Sequence, residues 1–99
     1  MNEHPWTMII AERGFVFVGR VHREADKVVI EDAYNVRRFS QETKDGIGGL
    51  AIRSPKKDND ILDPCPTVRI FVLAVVAEME CPDQGKWIKW HAGNAKKAR

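Results

Sequence analysis

Lys86, Trp87, Lys89 and Trp90 interleave, with Lys96 and Lys97 further along the same stretch. Alternating ammonium and indole groups can follow a phosphate backbone and stack on bases, which is nucleic-acid-binding chemistry. The same composition suits a helix that packs its tryptophans inward and leaves its lysines in water, since Trp is mostly buried and Lys mostly exposed. A second set is Trp6, Tyr34, Arg38 and Phe39. Aromatic residues and Arg are enriched at the centres of protein interfaces, so these four are candidate protein contacts if they reach the surface.

Groups able to carry out catalysis are present but do not form a recognisable constellation. Gly46-Ile47-Gly48-Gly49 invites a phosphate-loop reading, yet Leu50-Ala51 follows where that loop needs Lys and Ser or Thr. The pattern reads better as a tight entry into a short helix. Ser40 and Ser54 lie in polar connections without the glycine frame of a nucleophile elbow. Cys65 and Cys81 are each followed by proline, and His22 sits on an expected strand with no spacing that ties it to either thiol. Glu31 and Asp32 alternate in direction on a regular strand, while Glu78 and Glu80 share a face at a strand end, where solvation is expected. His4, His22 and His91 are scattered and match no zinc spacing. The sequence is therefore read as a non-enzyme with no cofactor and no metal. Its two cysteines are expected as free thiols in a reducing compartment, with a single bridge left as the alternative.

Charge divides the chain. The 99 residues carry a formal net charge of +2. Positions 1–83 hold 11 basic and 14 acidic side chains, net −3, and positions 84–99 hold five basic side chains and no acid. Hydrophobic residues at 43% and charged residues at 30% fit one soluble globular domain. The longest apolar run, Ile70 to Ala77, is far short of a membrane span, which needs about 20 residues. Glu3 and His4 precede a short Met8-Ile9-Ile10 stretch, which does not read as a signal peptide.

These groups must be positioned by a small β-rich framework. Thr7 to Glu12 reads as a strand, Arg13-Gly14 as a turn, and Phe15 to Arg23 as a second strand. Glu24 to Lys27 has hairpin composition, and Val28 to Phe39 extends again. Its alternation breaks, and a bulge near Asp32-Ala33 would reset the phase and bring Tyr34 and Val36 to one face. Ser40 to Asp45 is loop-like. Ile47, Leu50 and Ala51 then fall at helical spacing behind Asp45, a candidate N-cap. Arg53 to Pro66 is expected to be a long surface connection. Thr67 to Cys81 is apolar on both faces, as in a central strand or one that bends between layers, with a break expected near Leu73-Ala74. Lys86 to His91 reads as a short helix or a last strand; as a helix, the preferred reading, Asp83 can cap it and Trp87 and Trp90 share one side, and positions 93–99 should fray. The fold class is thus mostly β with minor α: a small antiparallel sheet or open barrel with one short helix, and a C-terminal helix where the last segment takes its helical reading. The expected division is a β-rich domain over 1–85 and a basic segment over 86–99.

The stretch from Gly14 to Val21, Lys27 to Ala33, Leu50-Ala51 and Val68 to Pro82 resembles a family of short phage and prophage proteins of unknown function, over roughly residues 7–82. The shared features are a glycine-framed strand, an acid-Ala-aromatic strand, a brief Leu-x-x-Leu-Ala helix (here Ile47-Gly48-Gly49-Leu50-Ala51) and a long apolar strand ending in proline. The resemblance implies a phage origin and life in the host cytoplasm. It makes the leading expectation stoichiometric binding to a host or phage protein, including a host defence or nuclease complex. A homodimer is a further expectation, because free sheet edges pair readily. The alternatives are a nucleic-acid accessory protein and a minor virion or assembly component.

Overall fold

The structure, a computed structural model, describes residues 4–97, with side chains described through Asn94. Strands β1 (Trp6–Ala11), β2 (Val16–Glu24) and β3 (Lys27–Arg38) form an antiparallel meander. Helix α1 (Gly46–Arg53) and strand β4 (Ile61–Pro64) follow, then β5 (Val68–Phe71), β6 (Val75–Glu80) and helix α2 (Gln84–Lys97). The sheet order is β4-β3-β2-β1-β6, and β5 also pairs with β3, beside its N-terminal half. The mostly β architecture with two helices expected from the sequence is the one observed. β4 was hidden in the expected connection over 53–66: its four residues, ending in a proline, offer too short a pattern to read.

β5 and β6 determine the shape. Laid flat, strands paired to β3 and to β1 would stand four spacings apart, about 19 Å. They are joined by the three residues Val72–Ala74 in a 3-10 turn, and such a turn advances only about 6 Å. The sheet must curl until its two sides nearly meet, giving an open barrel. The break expected near Leu73-Ala74 is this turn, and the apolar stretch over 67–81 bends rather than running through the centre of a sheet.

The second device is a bulge. Val18 pairs with Tyr34 and Arg20 with Glu31, so β3 carries one extra residue there. Asp32 sits at φ 52, in the left-handed region. Val28 and Ile30 before the bulge, and Ala33 after it, face one core, whereas Tyr34 and Val36 face the other. Opposite the bulge, Gly19 lies so close to β3 that a Cβ there would stand 2.6 Å from the Glu31 carbonyl oxygen and 2.7 Å from Ile30 Cγ2. Glycine at this position is a requirement of close backbone approach.

Two cores result. Ile9, Val28, Ile30 and Ala33 pack with Phe17, Val68, Ile70 and Val75 inside the barrel. Trp6, Met8, Val18, Tyr34 and Val36 lie on the outer face under the helices, with Leu50 and Ala51 of α1, Cys81, and Trp87 of α2. The helices are tied down by hydrogen bonds at their ends. Trp87 Nε1 donates to the Ala51 carbonyl at 2.8 Å, satisfying an acceptor that the last turn of α1 leaves free. Asp83 accepts from the Lys86 amide at 3.1 Å, the N-cap expected from the sequence. Gln84 Oε1 accepts from the Trp6 amide and its Nε2 donates to the Trp6 carbonyl, so the side chain extends the ladder beyond the end of β6. Trp87 is fully buried in this core, so α2 packs on the outer face of the sheet.

Asp45 precedes α1 but makes no side-chain capping bond. Its carboxylate is taken by Arg53 at 2.7 Å, and by the hydroxyls of Ser40 and Thr43. Arg53 also reaches the buried carboxylate of Asp60 at 2.6 Å. A guanidinium with five donors outcompetes the helix amides for the carboxylate. This clasp fastens the connections on both sides of α1.

Candidate binding surface

Three of the residues singled out from sequence, Trp6, Tyr34 and Trp87, are buried. Trp6 is fully buried and Tyr34 is 3% exposed. They are core residues, stacked with ring centroids 6.4 Å apart, and cannot contact a partner without opening the fold. Arg38 is exposed and Phe39 packs half-buried against the outer core. Of the basic set, Lys86 and Lys89 are exposed and Trp90 is half-buried. Trp87 is fully buried, so it stacks on Trp6 at 5.8 Å and is not available to a base. Lys96 and Lys97 fall in the last turn of α2, and their side chains lie outside the described residues. The inward-tryptophan, outward-lysine reading of α2 therefore describes Trp87 fully and Trp90 in part.

The polar groups near α2 hold the helix to the sheet. Tyr34 Oη lies 2.8 Å from His91 Nδ1 and accepts from Asn94 Nδ2 at 3.2 Å. His91 Nε2 stands 3.8 Å from Asp32, whose other oxygen accepts from Arg20 at 3.1 Å. Arg20 in turn lies over the Trp6 ring. Burial pushes the Tyr34 hydroxyl above its ordinary value, so it stays protonated and available as a donor at neutral pH. The bulge at Asp32 is what brings its carboxylate within reach of α2.

Neither thiol is set up as a nucleophile. Both are free. Burial pushes Cys81 up to about 12 and also raises Cys65, so little thiolate forms at neutral pH. Among the described residues no three His, Cys, Asp or Glu side chains converge as metal ligands. No helix among them is long and apolar enough to cross a membrane.

The surface feature that stands out is apolar and lies at the β5–β6 corner. Phe71 is 58% exposed, Leu73 94% and Val76 68%, with Val72 beside them. The corner forces this exposure. Alternation sends Ile70 and Val75 into the barrel, which turns Phe71 and Val76 outward, and the tight turn leaves Leu73 no surface to pack on. Next to it is a largely apolar groove of about 350 Å³, walled by Phe15, Phe17, Val68, Ile70 and Ala74, with Glu12 and Arg13 also in its lining. This is the mouth of the open barrel. Phe15, itself 55% exposed, stacks on Phe17 with centroids 6.4 Å apart and forms one lip. The rim is charged: Lys27 lies over the Phe71 ring, and Arg23 pairs with Glu78 at 2.7 Å. Sequence reasoning missed this site. The signal was the apolar character of both faces over 68–79, more than a strand at the edge of a small sheet can bury.

Comparison of the chain with protein-family models, with curated proteins and with solved structures finds no match.

Proposed function

We propose that this chain is a small binding protein that acts stoichiometrically, seating apolar side chains of a partner protein on the β5–β6 corner and in the adjoining groove. The observation that carries this reading is the exposure of Phe71, Leu73 and Val76, each more than half exposed at one corner, beside a groove walled by Phe15, Phe17, Val68, Ile70 and Ala74. Contiguous exposed apolar surface with a charged rim is the make-up of a protein–protein contact. The groove volume of about 350 Å³ matches about two large aliphatic side chains and falls in the usual range for binding sites. The resemblance to short phage proteins supplies the setting: a phage-encoded protein in the host cytoplasm whose partner is a host or phage protein, such as a defence or nuclease complex.

Affinity capture tests this with three proteins: wild type, Leu73→Asp, and Lys89→Glu on the far helix. All three substitute at exposed positions or not at all, so folding is retained. One partner captured near 1:1 by wild type and Lys89→Glu, and lost with Leu73→Asp, is the expected outcome. Capture that is indifferent to Leu73→Asp would show that the corner is not the contact.

A further inference from the structure

A second concavity lies away from the apolar corner, between the turn at 55–58 and helix α2. It measures about 400 Å³, and its lining includes Lys56, Lys57, Asp58, Leu62, Trp90 and Asn94. We propose that this cleft binds a nucleotide, with the base against Trp90 and the phosphate on Lys56 and Lys57.

The cleft combines the three contacts such a ligand needs. Trp6 and Trp87 are fully buried, whereas Trp90 is half-buried and forms part of the cleft wall, an indole surface for a planar ring. Lys56 and Lys57 are exposed on a tight turn, and neither ammonium is in an ion pair among the described residues. Asp58 and Asp60 also belong to the lining, but the Asp60 carboxylate is engaged by Arg53 at 2.6 Å, which leaves the two lysine ammonium groups as the contacts open to an anion. Asn94 gives its amide N–H to Tyr34, which leaves its carbonyl oxygen to accept from the amino group of a base. The turn that carries the lysines is fixed: the Lys56 amide donates to Asp60 at 2.8 Å, and Asp60 is held in the Arg53 clasp. Lys86 and Lys89, exposed on α2, add positive potential on the approach. A bare phosphate would use the lysines but not the indole. A neutral apolar ligand would use the indole but neither ammonium group.

The sources of such a ligand are a free nucleotide and one residue of a single strand. Tryptophan emission separates them, because Trp90 is the indole open to the cleft. Wild-type protein is titrated at low salt with AMP, adenosine, inorganic phosphate and a short oligodeoxyadenylate. Saturable quenching by AMP, weaker with adenosine and absent with phosphate, is expected. Lys56→Ala/Lys57→Ala, an exposed-turn variant with an unchanged thermal melt, should bind about tenfold or more weakly, the loss expected from removing charge-assisted contacts. An oligonucleotide that binds more tightly than AMP beyond the gain from its number of residues assigns the site to a strand, and equal affinity assigns it to the free nucleotide. No saturable quenching by AMP or oligonucleotide, or quenching undiminished in the double variant, overturns the proposal. The apolar corner is untouched by either result.

Discussion

Replacing Arg53 with Ala should cost this protein a large part of its stability and change how that stability depends on pH. The Arg53 side chain is 14% exposed and bridges Asp45 at 2.7 Å and Asp60 at 2.6 Å, with the Asp60 side chain fully buried. Removing the guanidinium leaves the Asp60 carboxylate buried without its counter-charge, for which about 3–5 kcal/mol is typical. The amides of Ser40 and Lys56 and the Asn59 side chain still donate to Asp60, which places the expected loss near the lower end, about 3 kcal/mol. For a domain of this size each kcal/mol moves the melting temperature by about 4–8 °C, so the variant should melt at least about 12 °C lower. The pH dependence follows from Asp60. Burial alone would raise its carboxyl, but the Arg53 bond, followed by those from Lys56, Ser40 and Asn59, outweighs burial and holds it at about 2. That folded value lies below the unfolded value of about 3.9. The carboxylate therefore contributes stability that is present above about pH 4 and is lost as pH falls toward 2. Asp45 has the same sign, lowered chiefly by Arg53, then by Thr43 and Ser40. Without Arg53 both carboxyls titrate nearer their unfolded values, and the acid limb of the stability curve flattens. Thermal melts followed by circular dichroism, for both proteins between neutral pH and about pH 2.5, measure this. A variant that melts within about 5 °C of wild type at neutral pH, or a wild type whose midpoint does not fall on acidification, would refute the reasoning.

Gly19→Ala places a methyl group against the β3 backbone at the bulge, and should lower unfolding free energy in urea by about 2–3 kcal/mol; a midpoint equal to wild type would mean that β2 and β3 can separate there at little cost. Tyr34→Phe removes the hydroxyl shared with His91 and Asn94, and should cost about 1–2 kcal/mol while speeding amide exchange in α2 more than in the strands; uniform exchange would show that the hydroxyl does not fasten the helix. In native protein Cys81, fully buried with its thiol pushed up to about 12, should resist iodoacetamide, and mass spectrometry should find it labelled only after denaturation. Native labelling at Cys81 would contradict the packing of α2 over the outer core.

The framework was legible where one local pattern decided it. Alternation placed β1, β2 and β3, the phase break at Asp32 marked the bulge, and the excess length over 67–81 marked the turn at Val72–Ala74. The positions of Trp6 and Tyr34 were not legible, because their burial depends on α2 returning across the sheet from about eighty and sixty residues away in sequence, as the Gln84 and Asn94 hydrogen bonds show. Asp45 carried a capping pattern, but the competing partner was Arg53 at the other end of the same helix, a contact visible only once α1 has formed. The apolar corner was hidden for a related reason. Phe71, Leu73 and Val76 look like core residues until β5 and β6 are known to be edges.

Site-specific photo-crosslinking tests whether the β5–β6 corner is the surface that a partner protein occupies. A photoreactive residue is introduced at position 73, where the native Leu73 is 94% exposed, and in parallel at position 89 on the exposed side of α2. Irradiation in cells that express the protein, followed by mass spectrometry, identifies what each position touches. One dominant adduct is expected from position 73, reduced when Phe71 and Val76 are replaced by Asp, with no matching adduct from position 89. An adduct of equal yield from both positions, or from position 89 alone, would contradict this reading of the corner.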